Sequence, residues 1–307
     1  MLAPDFPARF AACRLAAITL LACGTVRAAQ PYPPTIDGAR VETYKTVGDT
    51  KLDLWIVAPP DAAAAGHRPA IVFFFGGGWT GGSPQQFEPQ CRHLAERGMV
   101  AITADYRVAS RHHAKPIDCV ADARSAIRWV RANANRLGVD PARIAAAGGS
   151  AGGHLAACTA FIAEFDAPGD DPDVRATPDA LVLFNPALVL APLPGLDLAD
   201  SFGMRARASR LGAEPRRLSP AHHVDAGGPP TIIFHGRADT TVPFATAEAF
   251  ATRMRDAGNR CELVGYDDQP HGFFNHEPWR SKTLEATDAF LQSLGWPLAG
   301  PAAATCR

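Results

Sequence analysis

Ser150 lies in Gly148-Gly149-Ser150-Ala151-Gly152, a G-x-S-x-G pattern with an apolar run before it and an alanine-rich stretch after it. A serine hydroxyl attacks an acyl carbon only when a base takes its proton and a carboxylate holds that base. Glycine inside regular structure costs about 0.5–1 kcal/mol against alanine, so glycines crowded around one serine mark a turn that requires them. Here the turn falls between an expected strand and an expected helix. In that setting a strained nucleophile turn lifts the hydroxyl clear of a sheet, beside a helix N-terminus that favours negative charge. The chain order for such sites is serine, acid, histidine. Asp239, in FHGRADTTVP (234–243), and His271, in DDQPHGFFN (267–275), each follow an apolar strand-like run and supply that order. Asp267 and Asp268 stand too close to His271 in sequence to be the first choice of acid.

The negative charge that develops on a carbonyl oxygen needs donors. Phe75-Gly76-Gly77-Gly78-Trp79 follows another apolar run. Without Cβ atoms, the amides of Gly77 and Gly78 can point at that charge together with the amide of Ala151. Trp79, at the end of the loop, is expected to contact substrate. Gly76, Gly78 and Gly81 also spell the dinucleotide pattern G-x-G-x-x-G, with Glu96 about 20 residues on. The stretch after them reads as loop, Pro84 interrupts it, and Glu96 falls in a helical stretch, so no nucleotide site is read. His112-His113 and His222-His223 have no accompanying carboxylate spacing for a metal, and no cofactor is expected.

Elements that bring three distant loops together must alternate. Leu52–Pro60 alternates as an edge strand. Ala70–Phe75 and Met99–Arg107 are apolar runs of the kind that forms strands buried on both faces. From 118 to 138 the period switches to three and four, through Val120, Ala123, Ile127, Val130, Ala134 and Leu137. Asp118 and Asp122 open this helix, Arg131 and Arg136 close it, and Gly138 is a plausible stop. Further strands are expected at 143–149, 179–186, 229–236 and 261–266. Helices are expected at about 151–164, around 247–257 and at 283–294. The alternation implies an α/β fold: a mostly parallel central sheet with helices on both faces and its working groups at the strands' carboxyl ends. Residues 188–228, rich in proline, alanine and arginine without a period, are expected to form a small lid-like insertion.

The chain has 307 residues, 47% of them apolar, with 30 basic and 31 acidic side chains. That length suits one large α/β core, and the balanced charge offers no basic face to nucleic acid. Arg9 and Arg14 precede the apolar run Leu15–Val26, which is followed by RAAQ. A basic start, a short apolar run and small residues describe a secretory signal over 1–28, cleaved after Ala28. The run is too short to span a bilayer. The expected mature domain is 29–307, secreted or periplasmic. Leu20–Cys23 also resembles a bacterial lipoprotein signal, in which Cys23 would carry a lipid anchor. Of the seven cysteines, five lie beyond this leader, widely spaced and without C-x-x-C, which is neither a zinc site nor a disulfide scaffold. Nothing in the sequence fixes an oligomeric state.

Taken together, FFFGGGW (73–79), DYRV (105–108), IRWVRANA (127–134), GVDPARIAAAGGSAGGHLAA (138–157), HGRADTTVP and PHGFFN resemble the α/β-hydrolase esterases of the H-G-G-G group. Within that group they are similar to secreted bacterial acetylxylan-esterase-like and feruloyl-esterase-like proteins, over about residues 41–294. The resemblance implies Ser150 as nucleophile, His271 as base, Asp239 as its orienter, and Gly77, Gly78 and Ala151 as oxyanion donors. It also implies a secreted serine hydrolase of short, acetyl-type carbohydrate esters, with a small-molecule or polysaccharide ester as partner. The same triad would serve an arylformamide or amide hydrolase, or a feruloyl-type esterase. A catalytically silent binding protein on this fold would lack a triad member. One position departs from the group: its usual first loop histidine, which braces the loop by hydrogen bonding, is Phe75 here.

Overall fold

The computed structural model describes residues 32–59, 62, 67–196 and 208–299. The expected leader, with its expected cleavage after Ala28, and Cys23 lie outside the described residues, as do 197–207 of the expected insertion. Successive side chains of a strand point to opposite faces. Strand β3 (Arg68–Phe74) therefore sends Ile71 and Phe73 into one hydrophobic cluster and Ala70, Val72 and Phe74 into another. Five further strands follow β3: β4 (Val100–Ala104), β5 (Val139–Gly149), β6 (Ala180–Phe184), β7 (Thr231–Gly236) and β8 (Cys261–Tyr266). They run parallel in the order β4-β3-β5-β6-β7-β8. Ahead of them, β1 (Arg40–Val47) and β2 (Thr50–Val57) form an antiparallel hairpin, and β2 joins the sheet antiparallel to β4.

Helices cover both faces. On one side α1 (Glu88–Glu96) and α5 (Trp279–Ser293) contribute Cys91, Leu94, Phe290 and Leu291. On the other, α2 (Pro116–Ala132), α3 (Ala151–Phe161) and α4 (Phe244–Asp256) contribute Val120, Ile127, Leu155 and Phe250. Helix α3 is apolar all round and buried from Ala151 to Thr159, as a helix without a solvent face must be. The three layers match the expected α/β-hydrolase fold. Among the described residues no helix is long and apolar enough to cross a membrane.

One expectation needs correction. The strand at 52–57 is not an edge: β1 pairs along its outer side and takes the edge itself. The sequence RVETYKTV predicts no strand because an edge strand keeps its polar residues in water, and only Tyr44 of β1 is buried. At the two ends of the expected insertion, Leu188, Val189, Leu190, Leu218 and Ala221 are buried in the core. Its short helical turn at Ala208–Leu211 places Arg210 to donate from Nη2 to the Gly78 carbonyl (2.8 Å) and to Thr80 Oγ1 (2.6 Å).

Candidate active site

Strand β5 ends at Gly149, helix α3 begins at Ala151, and Ser150 between them has φ 54° and ψ −119°. A non-glycine residue there carries backbone strain, the signature of a nucleophile turn. The glycines answer to the same geometry. A Cβ on Gly152 would run into the Phe74 carbonyl, and one on Gly149 into the Phe274 ring. The amide of Ala151 opens α3, where the first N–H groups of a helix have no intrahelical acceptor.

From the carboxyl ends of β7 and β8 come the other two groups. His271 Nε2 lies 2.9 Å from Ser150 Oγ, and His271 Nδ1 lies 2.7 Å from Asp239 Oδ2. An ionised carboxylate only accepts, so Nδ1 carries the hydrogen and Nε2 is left to accept from the serine hydroxyl. Asp239 Oδ1 accepts the amides of Thr241 and Val242, both at 2.8 Å. Its Oδ2 also accepts Asn185 Nδ2 at 2.6 Å. Burial alone would push this carboxyl up. Hydrogen bonds from His235, His271 and the Val242 amide outweigh that effect and hold it well below the usual carboxylate range. Serine, imidazole and carboxylate thus form one continuous hydrogen-bonded line, with the acid buried and the imidazole partly open to solvent.

Beside the serine runs the loop that leaves β3. Gly77 has φ 125° and Gly78 φ 60°, and a Cβ on Gly77 would collide with the Gly81 carbonyl. Among the described residues none accepts a hydrogen bond from the amides of Gly77, Gly78 or Ala151. The Gly76 amide is different, being taken by Gln86 Oε1 at 2.6 Å. Phe75 is fully buried and stacks on Tyr106 with centroids 4.1 Å apart, while Tyr106 Oη donates to the Phe75 carbonyl at 2.7 Å.

Trp79 departs from expectation. It is 5% exposed, and its ring stands edge-to-face with His154 at 5.1 Å, which leaves little surface for a substrate. His154 Nε2 donates to the Leu218 carbonyl at 2.7 Å, and burial lowers its pKa to about 4, so Trp79 packs against a neutral imidazole on α3. Trp79 itself has φ 59°, in the left-handed region, and its ring lies in the core.

Three residues with a part in the site were not singled out from the sequence. Asn185, at the end of β6 with φ 42°, holds Asp239. His235 donates from Nε2 to the Val242 carbonyl at 2.8 Å and lies 3.3 Å from Asp239 Oδ2, so the acid sits between two imidazoles. Gln86 holds the loop glycine. An asparagine before proline at a strand end is the one clue that marks Asn185, since asparagine tolerates the left-handed backbone there.

Residues 71–275 match the family model described as the alpha/beta hydrolase fold. Esterase LipQ of Mycobacterium tuberculosis is 32% identical over 78% of this chain and 58% of its own length. The carboxylesterase NlhH from the same species is 29% identical over 70% of each. The chain spans about half the length of the first curated relatives it matches, 58% of LipQ and 49% of the probable carboxylic ester hydrolase LipM. Among solved structures, esterase 2 of Thermogutta terrifontis phosphonylated by sarin is 52% identical, covering 88% of this chain and 99% of that one, with a TM-score of 0.85. Its butyrate-bound form is 51% identical over 90% and 100%, with a TM-score of 0.83.

Proposed function

We propose that this chain, which belongs to the α/β hydrolase family, is a serine carboxylic-ester hydrolase that works through an acyl-enzyme on short acyl groups. The observation that carries the proposal is the unbroken contact from Ser150 Oγ through His271 to Asp239.

His271 Nε2 removes the hydroxyl proton as Ser150 Oγ bonds to the ester carbon, and the carbonyl π pair moves onto oxygen. The amides of Gly77, Gly78 and Ala151 bind that oxyanion; one such donor is worth about 2.7–4 kcal/mol of barrier. On collapse, the bond to the alcohol oxygen breaks and His271 returns its proton to the leaving alkoxide. A water, deprotonated by the same nitrogen, then attacks the acyl-serine, and a second collapse frees the carboxylic acid and the serine hydroxyl. Asp239 keeps Nδ1–H in place and offsets the imidazolium charge without taking the proton.

The short acyl group is supported by the related esterase 2, whose structures are described as propionate-bound and butyrate-bound. For the alcohol half the reading is a carbohydrate, on the strength of the motif resemblance to acetylxylan-esterase-like proteins. A secreted or periplasmic location is supported by the signal-like pattern of residues 1–28. A silent binding protein is disfavoured because all three triad side chains are in contact. Hydrolysis of 4-nitrophenyl acetate against longer 4-nitrophenyl esters, then of acetylated against feruloylated sugars, tests the reading. The expected order is acetate to butyrate well above octanoate, and acetylated above feruloylated sugar. No hydrolysis of any ester would defeat it.

A further inference from the structure

We infer that Gln86 is a positioning residue that ties the oxyanion loop to the loop carrying His271, taking over the brace that Phe75 cannot provide; the inference rests on the esterase reading above.

The residue sits on a single helical turn, Pro84–Phe87, that is anchored on several sides. Ser83 Oγ accepts the Gln85 amide (3.3 Å), and Thr103 Oγ1 of β4 donates to the Pro84 carbonyl (2.8 Å). Phe87 is buried and stacks on Phe73 of β3 at 4.8 Å and on Phe274, from the His271 loop, at 6.0 Å with planes 10° apart. Gln86, next to it, makes the polar version of the same bridge. Its Oε1 accepts the Gly76 amide at 2.6 Å, its Nε2 donates to Asn275 Oδ1 at 3.2 Å, and Asn275 Nδ2 donates to the Gly272 carbonyl at 2.9 Å.

The polarity of this relay is fixed at both ends. The Gly272 carbonyl can only accept, so Asn275 must turn its amide nitrogen there and its oxygen to Gln86. The Gly76 amide can only donate, so Gln86 must turn its oxygen there and its nitrogen to Asn275. Both requirements agree, and only a side chain with an acceptor and a donor on one planar group fits between them. Phenylalanine at 75 stacks but can neither donate nor accept.

Gly76 is where such a hold matters. It lies against the nucleophile turn, a Cβ there being 3.1 Å from the Gly149 carbonyl and 3.4 Å from Ser150 Cβ, and the next two amides are the expected oxyanion donors. A displacement of the loop by about 1 Å costs on the order of a hundredfold in rate. Gln86 does not touch substrate in this account; it sets where Gly77, Gly78 and His271 stand relative to one another.

The test pairs Gln86→Leu, which keeps the volume and removes both bonds, with Gln86→Glu, which keeps an acceptor for Gly76. Gln86→Leu is expected to lower kcat on 4-nitrophenyl acetate by about 10- to 100-fold with KM within about twofold. It should weaken a tetrahedral boronate inhibitor by the same factor, and Gln86→Glu, which restores the acceptor for Gly76 but not the donor to Asn275, should recover only part of both. Wild-type kcat in a folded Gln86→Leu, or a loss of rate with boronate affinity unchanged, overturns the proposal. If Gln86→Leu does not fold, Asn275→Leu cuts the same relay at its other end, and wild-type kinetics there overturns it equally. A wild-type protein that binds the boronate but hydrolyses no ester defeats the esterase reading alone, because boronate affinity still reports on Gln86.

Discussion

Asp239 gathers five groups around one carboxylate: His271, His235, Asn185 and the amides of Thr241 and Val242. Such a group stays ionised and fixed, which is what a base needs when it becomes an imidazolium. Asp239→Asn should cut kcat by about ten-thousandfold by favouring the wrong imidazole tautomer. Asn185→Ala, which removes one of several bonds to the acid, should cost only about tenfold in kcat, a graded loss that steady-state kinetics on the two variants would read. Equal losses would show that Asn185 acts on something other than Asp239. The meeting of Ser150, Asp239 and His271 was legible because a nucleophile turn is a local pattern and the order serine, acid, histidine reads along the chain. His235 and Asn185 were not, since their meaning depends on Asp239, four residues from one and far along the chain from the other. Trp79 was misread because its place beside the glycines says nothing about which way the turn throws its ring.

Between elements, the connection from α3 to β6 is strapped to α2 by charge. Arg128 donates from Nη1 and Nη2 to the two oxygens of Asp166 at 2.6 and 2.7 Å, and Arg124 shares the same carboxylate. Partial burial would raise the Asp166 pKa; the Arg128 and Arg124 hydrogen bonds outweigh it and bring it to about 2. A depressed carboxylate adds stability that is present above its unfolded pKa of about 4 and is lost as pH falls toward about 2. Asp166→Asn should therefore melt below wild type at pH 7, with the gap closing as pH falls through that window. A gap that does not change with pH would assign the loss to packing. Strands β3 to β8 could be read from apolar runs and helix α2 from its period, because burial on two faces or one leaves a plain pattern. Strand β1 could not, since an edge strand meets water. The buried leucines at the ends of the insertion could not be read either, because they fall at no regular spacing.

At the scale of the molecule, the parallel sheet brings loops from five strands to one rim: the glycine loop after β3, Ser150 after β5, Asn185 after β6, Asp239 after β7 and His271 after β8. That convergence was predictable from alternation alone, since groups on a parallel sheet collect at the strands' carboxyl ends. Export is a separate matter, and amino-terminal sequencing of exported protein decides it. A first residue of Ala29 is expected, whereas a lipid on Cys23 would replace the cleaved form with an anchored one. Whether these loops make Ser150 a nucleophile is read by a fluorophosphonate probe with peptide mass mapping. One adduct is expected, on Ser150, absent in Ser150→Ala and slowed in His271→Ala. An adduct on another residue, or ester hydrolysis that survives in Ser150→Ala, would contradict it.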